Sequence, residues 1–287
     1  VAGPCRADRP PGRHQPMPTS FFTRSSAVEI ASLMEVDPDM TEVCRSLRMF
    51  CTAAVSAEVK TMLSDVFAVR SDALVVTDDV ALAYFANFAP GEGHLVSAGT
   101  GSIGMHVAAD GTVTRVGGRG ILIDDAGSGS WIALRALDRL YRVLDHSGSF
   151  AGVQGLADGL FAEIGGTDWS DVRHYVYAGD RGRIGALAVG VAAAAKAGDA
   201  TALEILRSAG AELAHLAQAL GARAGQRPAG FVGGVLSLHP VIAEEIRLRL
   251  GADAVRLLSG DAALAAARLQ SADRRGWSPI LAGWNAL

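Results

Sequence analysis

Apolar positions recur at helical spacing over residues 26–36 (SAVEIASLMEV) and 55–67 (VSAEVKTMLSDVF), which predicts two helices. Between them, residues 47–55 read as a strand. The β-branched run ALVVT at 73–77 predicts a second strand, ending in Asp78 and Asp79, with a helix following through Ala86. The next stretch reads as a sheet module. Strands are expected at 95–98, 103–107 and 112–116, the last two joined by an Asp110-Gly111 hairpin turn. Ser130 is the expected N-cap of a long helix over 131–145. From 151 to 223 the sequence reads as alanine- and leucine-rich helices. A break is expected at Gly198-Asp199, with Asp199 as the next N-cap. A strand at 231–232 leads into Gly233-Gly234-Val235-Leu236-Ser237. A helix at 240–250, a strand at 255–258 and a helix at 261–269 follow. Strands interleaved with helices along the chain predict an α/β protein with two lobes around a cleft.

Two glycine-rich segments interrupt this pattern. SAGTGSIG, at 97–104, joins two strands with almost no side-chain bulk. Backbone amides in such a turn form an anion cradle, because no Cβ holds a ligand away, and Thr100 and Ser102 add hydroxyl donors. A purely structural turn explains the same residues. No lysine follows and no helix begins there, so this is not a Walker loop, nor is it the GxGxxG of a dinucleotide fold. The second segment, Gly117-Gly118-Arg119-Gly120, precedes an apolar run and then DDAGSGS at 124–130. Two carboxylates stand out. Asp79 closes an apolar strand, where it is either a helix N-cap or a general base for a hydroxyl attacking phosphorus. Asp125 sits among glycines and serines and has the same two readings. Neighbouring side chains diverge on extended backbone, so only one of Asp78 and Asp79, and one of Asp124 and Asp125, can face a given cleft.

Composition narrows the class. The 287 residues are 49% hydrophobic and only 20% charged, with 34 glycines, which is globular composition. The net charge of −4 and the lack of a basic tract argue against nucleic acid and anionic membrane as partners. No apolar stretch reaches the ~20 residues of a membrane span. Residues 1–25 read as a disordered extension without a signal-peptide core, with a transit-like segment as the alternative. Three cysteines without CxxC spacing suit reduced thiols in a cytoplasmic protein. No metal-ligand cluster is expected.

Taken in order, VVTDD, SAGTGSIG, Asp110-Gly111, GGRG, DAGSGSWI, FVGGVLS and GDAALAAARL resemble the N-acetylglucosamine kinase group of the BadF/BadG/BcrA/BcrD ATPases, in the actin–hexokinase–Hsp70 superfamily. The resemblance runs from about residue 45 to 270. It implies an actin-like (ribonuclease H-like) ATPase fold. A partial N-terminal lobe would span 26–90 and a nucleotide- and sugar-binding lobe 91–272, with a tail at 273–287 returning to the first lobe. It implies ATP and Mg2+ as cofactors and phosphorylation of N-acetylglucosamine or glucosamine at the 6-hydroxyl. Asp79 matches the base that contacts the sugar hydroxyl. Gly99, Thr100, Gly101 and Ser102 match the second phosphate loop. Gly118, Arg119 and Gly120 match a sugar-contacting segment in which arginine replaces tryptophan, and Asp125 matches a sugar-binding aspartate. Gly233, Gly234 and Ser237 match the adenosine-side loop. The group opens with a DGGGT-type loop that does not precede Asp79 here, so the first lobe is expected to be incomplete. That departure, with Arg119, favours the alternative of a non-catalytic sugar- or nucleotide-binding relative. An activator ATPase with a cysteine-ligated cluster is a third reading, resting on Cys44 and Cys51. The resemblance leaves oligomeric state open and admits a homodimer.

Overall fold

The computed structural model describes residues 49–51, 57–68, 70, 75–179 and 181–258. The helices expected at 26–36 and 261–269, the 1–25 extension and the 273–287 tail lie outside the described residues, as does Cys44.

β1 (Met49–Cys51) and β2 (Val75–Thr77) pair in parallel as a two-stranded sheet, with α1 (Ala57–Val66) between them in sequence. The chain leaves β2 into α2 (Asp79–Asn87). A second sheet then begins as a meander of β3 (His94–Ala98), β4 (Ser102–Val107) and β5 (Val113–Gly117), antiparallel throughout. β6 (Ala229–Val232) returns after a long helical excursion to lie parallel to β3, and β7 (Val255–Leu257) lies parallel to β6. The order is β5-β4-β3-β6-β7. Each expected strand in this stretch forms within a residue or two of its predicted bounds. The Asp110-Gly111 turn closes as foreseen, with Gly111 at φ +88° and the Asp110 carboxylate accepting from the Thr112 amide at 2.9 Å.

Strand alternation sorts the core into two layers. Leu95, Met105 and Val107 pack with Tyr84, Phe85 and Phe88 of α2 on one face of the sheet. Val96, Ala98 and Phe231 point the other way, into a larger helical layer. That layer comprises α3 (Gly129–Ser147), α4 (Gln154–Ile164), α5 (Trp169–Tyr177), α6 (Arg181–Ala186), α7 (Ala188–Lys196), α8 (Ala200–Ala224) and α9 (Pro240–Leu250). On α8 the buried residues Ala202, Leu206, Ala209, Leu213, Ala217 and Leu220 recur every three or four positions, which is why this 25-residue helix lies flat beneath the meander. Asp199 caps α8 as expected: one oxygen accepts from Ala202 at 2.9 Å, and the other accepts from Leu156 of α4 at 3.0 Å. The expectation for α3 needs correction. Ser128, not Ser130, is its N-cap: Ser128 is extended at ψ 171° and its hydroxyl accepts from the Trp131 amide at 3.1 Å, whereas Ser130 is already helical.

His94 and His106 are both buried in the sheet, with ring centroids 4.8 Å apart. His94 Nε2 donates to the Gly225 carbonyl and His106 Nδ1 to the Gly93 carbonyl. These acceptors fix which nitrogen carries the proton and leave His94 Nδ1 buried without a partner. Burial lowers the His94 pKa below 6.5. The Gly225 carbonyl opposes this, while His106 and Arg227 add to it. The folded protein thus holds His94 neutral, and an unfolded chain binds its proton first. Stability is full above the unfolded value near 6.5 and falls as pH drops below it, by at most about 1.4 kcal/mol per pH unit. Urea midpoints measured from pH 7 to pH 5 should decline, and His94→Gln should flatten the decline. An unchanged slope in that variant would assign the acid sensitivity elsewhere.

Candidate functional site

The loops at 99–102 and 233–237, which the family resemblance matches to a phosphate loop and an adenosine-side loop, stand side by side. Ser97 pairs with Val232 at the end of parallel β3 and β6, so residues 99–102 and 233–237 both emerge from the carboxyl edge of the sheet. Open α/β sheets bind ligands at this edge, because chain reversals leave backbone groups unpaired there. The contact is intimate: a Cβ built on Gly233, at φ +118°, would lie 2.2 Å from the Ala98 carbonyl oxygen. Space opens just beyond it, since a Cβ on Gly99 or on Gly234 would meet nothing within 4 Å.

The tip of the β3–β4 hairpin is stitched from below. Gly99 N–H donates to the Gly101 carbonyl at 2.9 Å and closes the turn. The first amides of α3 are spent on the same tip, Gly129 donating to the Gly99 carbonyl at 2.9 Å and Ser130 to the Thr100 carbonyl at 3.2 Å. Ser102 Oγ donates to the Ala126 carbonyl at 2.7 Å. Among the described residues, the amides of Thr100 and Gly101 are given no acceptor by the protein. Thr100 is exposed, and Gly185 of α6 lies against its methyl group, a neighbour that no sequence signal indicated.

Asp125 joins this cluster. It is only 4% exposed, in left-handed backbone at φ +56°, and its carboxylate accepts from the Ser102 amide at 3.4 Å. A Cβ on Gly101 would sit 2.9 Å from Asp125 Oδ2, so the glycine is what lets the carboxylate reach the loop. Asp124 turns the other way, although the left-handed backbone of Asp125, not an extended strand, separates the two side chains. It accepts from the amide of Arg119 at 2.9 Å and from its guanidinium at 3.0 Å. Desolvation acts against its ionised form. Hydrogen bonds from the Asp125 and Arg119 amides and the Arg119 guanidinium outweigh that and hold the carboxyl below the usual range. Arg119 is therefore pinned within the 118–124 loop. The apolar residues after it do not enter the core: Leu122 is 95% and Ile123 75% exposed on a turn closed by the Gly120 carbonyl. Gly118 lies over Ile103 of β4, at the end of β5.

Asp79 stands apart from these contacts as the exposed first residue of α2. The alternative that it caps the helix is corrected by the structure, since Asp78 is the N-cap and accepts from Ala81 at 2.6 Å. The second oxygen of Asp78 receives the guanidinium of Arg115 on β5. This ion pair spans 37 positions and left no trace in the sequence. Ser237 ends a 3₁₀ turn, Gly234–Ser237, that leads into α9. A separate groove of about 410 Å3 between α8 and α9 is lined by Glu204, Arg207, Glu212, His215, Glu245 and Arg249, and none of the residues singled out in the sequence borders it. No group of three or more potential metal ligands occurs among the described residues, and none of their helices is long and apolar enough to cross a membrane.

Comparison with known proteins agrees with this architecture. The profile of the BadF/BadG/BcrA/BcrD ATPase family matches residues 38–248. Two solved structures share the fold. A proposed N-acetylglucosamine kinase from Chromobacterium violaceum is 24% identical, with 77% of this chain and 75% of that one covered at a TM-score of 0.57. A second proposed N-acetylglucosamine kinase, from Porphyromonas gingivalis, is 17% identical, with 85% of each chain covered at a TM-score of 0.63. Among curated protein sequences, none matches the chain.

Proposed function

The chain belongs to the BadF/BadG/BcrA/BcrD ATPase family, and from that premise we propose that it transfers the γ-phosphoryl group of ATP to the 6-hydroxyl of an amino sugar, N-acetylglucosamine or glucosamine. One observation carries the reading: the Gly99–Ser102 and Gly233–Ser237 loops converge at one sheet edge, with the Thr100 and Gly101 amides given no acceptor among the described residues. A phosphate tail fits a tip in which glycines flank Thr100 and leave backbone amides accessible, and an adenosine fits the open backbone at Gly234 beside it. Mg2+ bound with ATP would supply charge neutralisation at the transferred group. Asp125, a buried carboxylate beside the cradle, is of the donor type a hard cation accepts, and it equally suits a sugar hydroxyl.

In this scheme the sugar lies between Asp79 and the segment of Gly118, Arg119 and Gly120, in a cleft between residues 26–90 and 91–272. Asp79 takes the proton of the 6-hydroxyl as its oxygen attacks phosphorus, and the loops hold the departing diphosphate in line. ATP as phosphoryl donor sets the reaction in the cytoplasm. Coupled assay of ADP release tests the proposal, with Mg-ATP and each of N-acetylglucosamine, glucosamine and glucose. Release should depend on an amino sugar. Sugar binding by calorimetry without ADP release would replace the kinase with a sugar-binding relative, and neither binding nor release would overturn both.

A further inference from the structure

The ion pair between Arg115 and Asp78 links the two segments that the proposed reaction needs to hold at a fixed separation. Asp78 does two things at once. One carboxylate oxygen caps α2 through the Ala81 amide, and the other takes the Arg115 guanidinium. The residue that follows it is Asp79, in the first turn of α2. Arg115 sits on β5, three positions before Gly118, and β5 runs directly into the segment of Gly118, Arg119 and Gly120. Arg115 is itself backed, since its carbonyl accepts from Arg223 Nη1 at 2.8 Å near the end of α8. An asparagine at position 78 could cap the helix without carrying a charge. The carboxylate adds a capacity that capping does not require, and Arg115 uses it.

We propose that Arg115 is a positioning residue for the sugar-phosphorylation reaction: acting through Asp78, it fixes the first turn of α2 and so the placement of Asp79 against the segment of Gly118, Arg119 and Gly120. The inference rests on the kinase reading. Arg115 touches no reacting atom in this scheme. Its effect passes through the charge-assisted hydrogen bond to Asp78. Misplacing a reacting group by about 1 Å costs on the order of a hundredfold in rate, so loosening this tie should appear in turnover and not in nucleotide affinity.

The experiment is a double-mutant cycle on the full chain: Arg115→Ala, Asp78→Asn and the two combined, with Arg115→Lys as the conservative control. Arg115→Ala should lower kcat by roughly tenfold or more and leave KM for ATP within about twofold, because the ATP loops are built from other strands. In the Asp78→Asn background the same change should cost less than about twofold, since the partner through which Arg115 acts is gone. Lysine should recover part of the loss. An equal loss in both backgrounds, or a rise in KM for ATP with kcat intact, would overturn the proposal. Hydrogen exchange at the Ala81 amide supplies a readout that needs no substrate: Arg115→Ala should speed it about tenfold. If the unaltered protein turns over no sugar while exchange responds as expected, the kinase reading fails and the tether stands. Unchanged exchange would remove the tether itself, whatever the turnover.

Discussion

Asp79→Asn is expected to abolish sugar-dependent ADP release, by about 10²–10⁴-fold in kcat, with KM for ATP nearly unchanged. Asparagine matches aspartate in size and keeps a hydrogen-bonding oxygen, but it cannot accept the hydroxyl proton as the bond to phosphorus forms. Two structural facts make the variant clean. The helix cap belongs to Asp78, so α2 keeps its N-terminal hydrogen bond. The residue is exposed, so no buried contact is lost. What the fold loses is one favourable charge in the first turn of a helix, worth about 0.3–1 kcal/mol. Melting should shift by no more than about 2–4 °C. Turnover that survives within tenfold would remove Asp79 from the reaction and with it the proposed direction of attack.

Gly233→Ala is expected to cause the largest loss of stability of any single methyl addition at the site. The new Cβ would meet the Ala98 carbonyl oxygen at 2.2 Å and the carbonyl carbon at 2.6 Å. Both are backbone atoms of β3, which is held by β4 on one side and β6 on the other, so neither can retreat without breaking a ladder. The φ of +118° adds a backbone conformation that only glycine adopts at low cost. Together these should destabilise the protein by about 3 kcal/mol or more, and lower Tm by about 6–12 °C. ATP binding should fall in whatever remains folded. Gly234→Ala is the internal control: its Cβ enters open space, so Tm should hold while ATP affinity falls if the backbone there approaches the nucleoside. Equal melting of the two variants would show that the tight β3–β6 juncture is not what requires glycine.

Much of the sheet module was legible in the sequence, because short strand runs and turn chemistry are local. The run from His94 to Val116 carries its own strand and hairpin signals, and Asp199 announces its cap by following a glycine at a helix break. Nearby, local reading slipped where two candidates compete within a turn. Ser128 and Ser130 are both good caps, and the choice fell to the residue whose backbone is still extended when the chain docks on the hairpin tip. The apolar run at 121–123 misleads for a related reason: glycines on either side turn it outward, so hydrophobic residues in sequence did not become buried residues.

Read by itself, the sequence determined the element types, the two glycine loops and the acidic residues that could do chemistry, since each depends on residues within a few positions of one another. Only the tertiary structure decided which of these meet. It set Gly233 against Ala98 across some 135 positions, turned Asp125 rather than Asp124 to the Gly101 tip, and brought Arg115 of β5 to the second oxygen of Asp78. The physical reason is that hydrogen bonds and close packing act over a few ångströms of space, with no regard to separation along the chain.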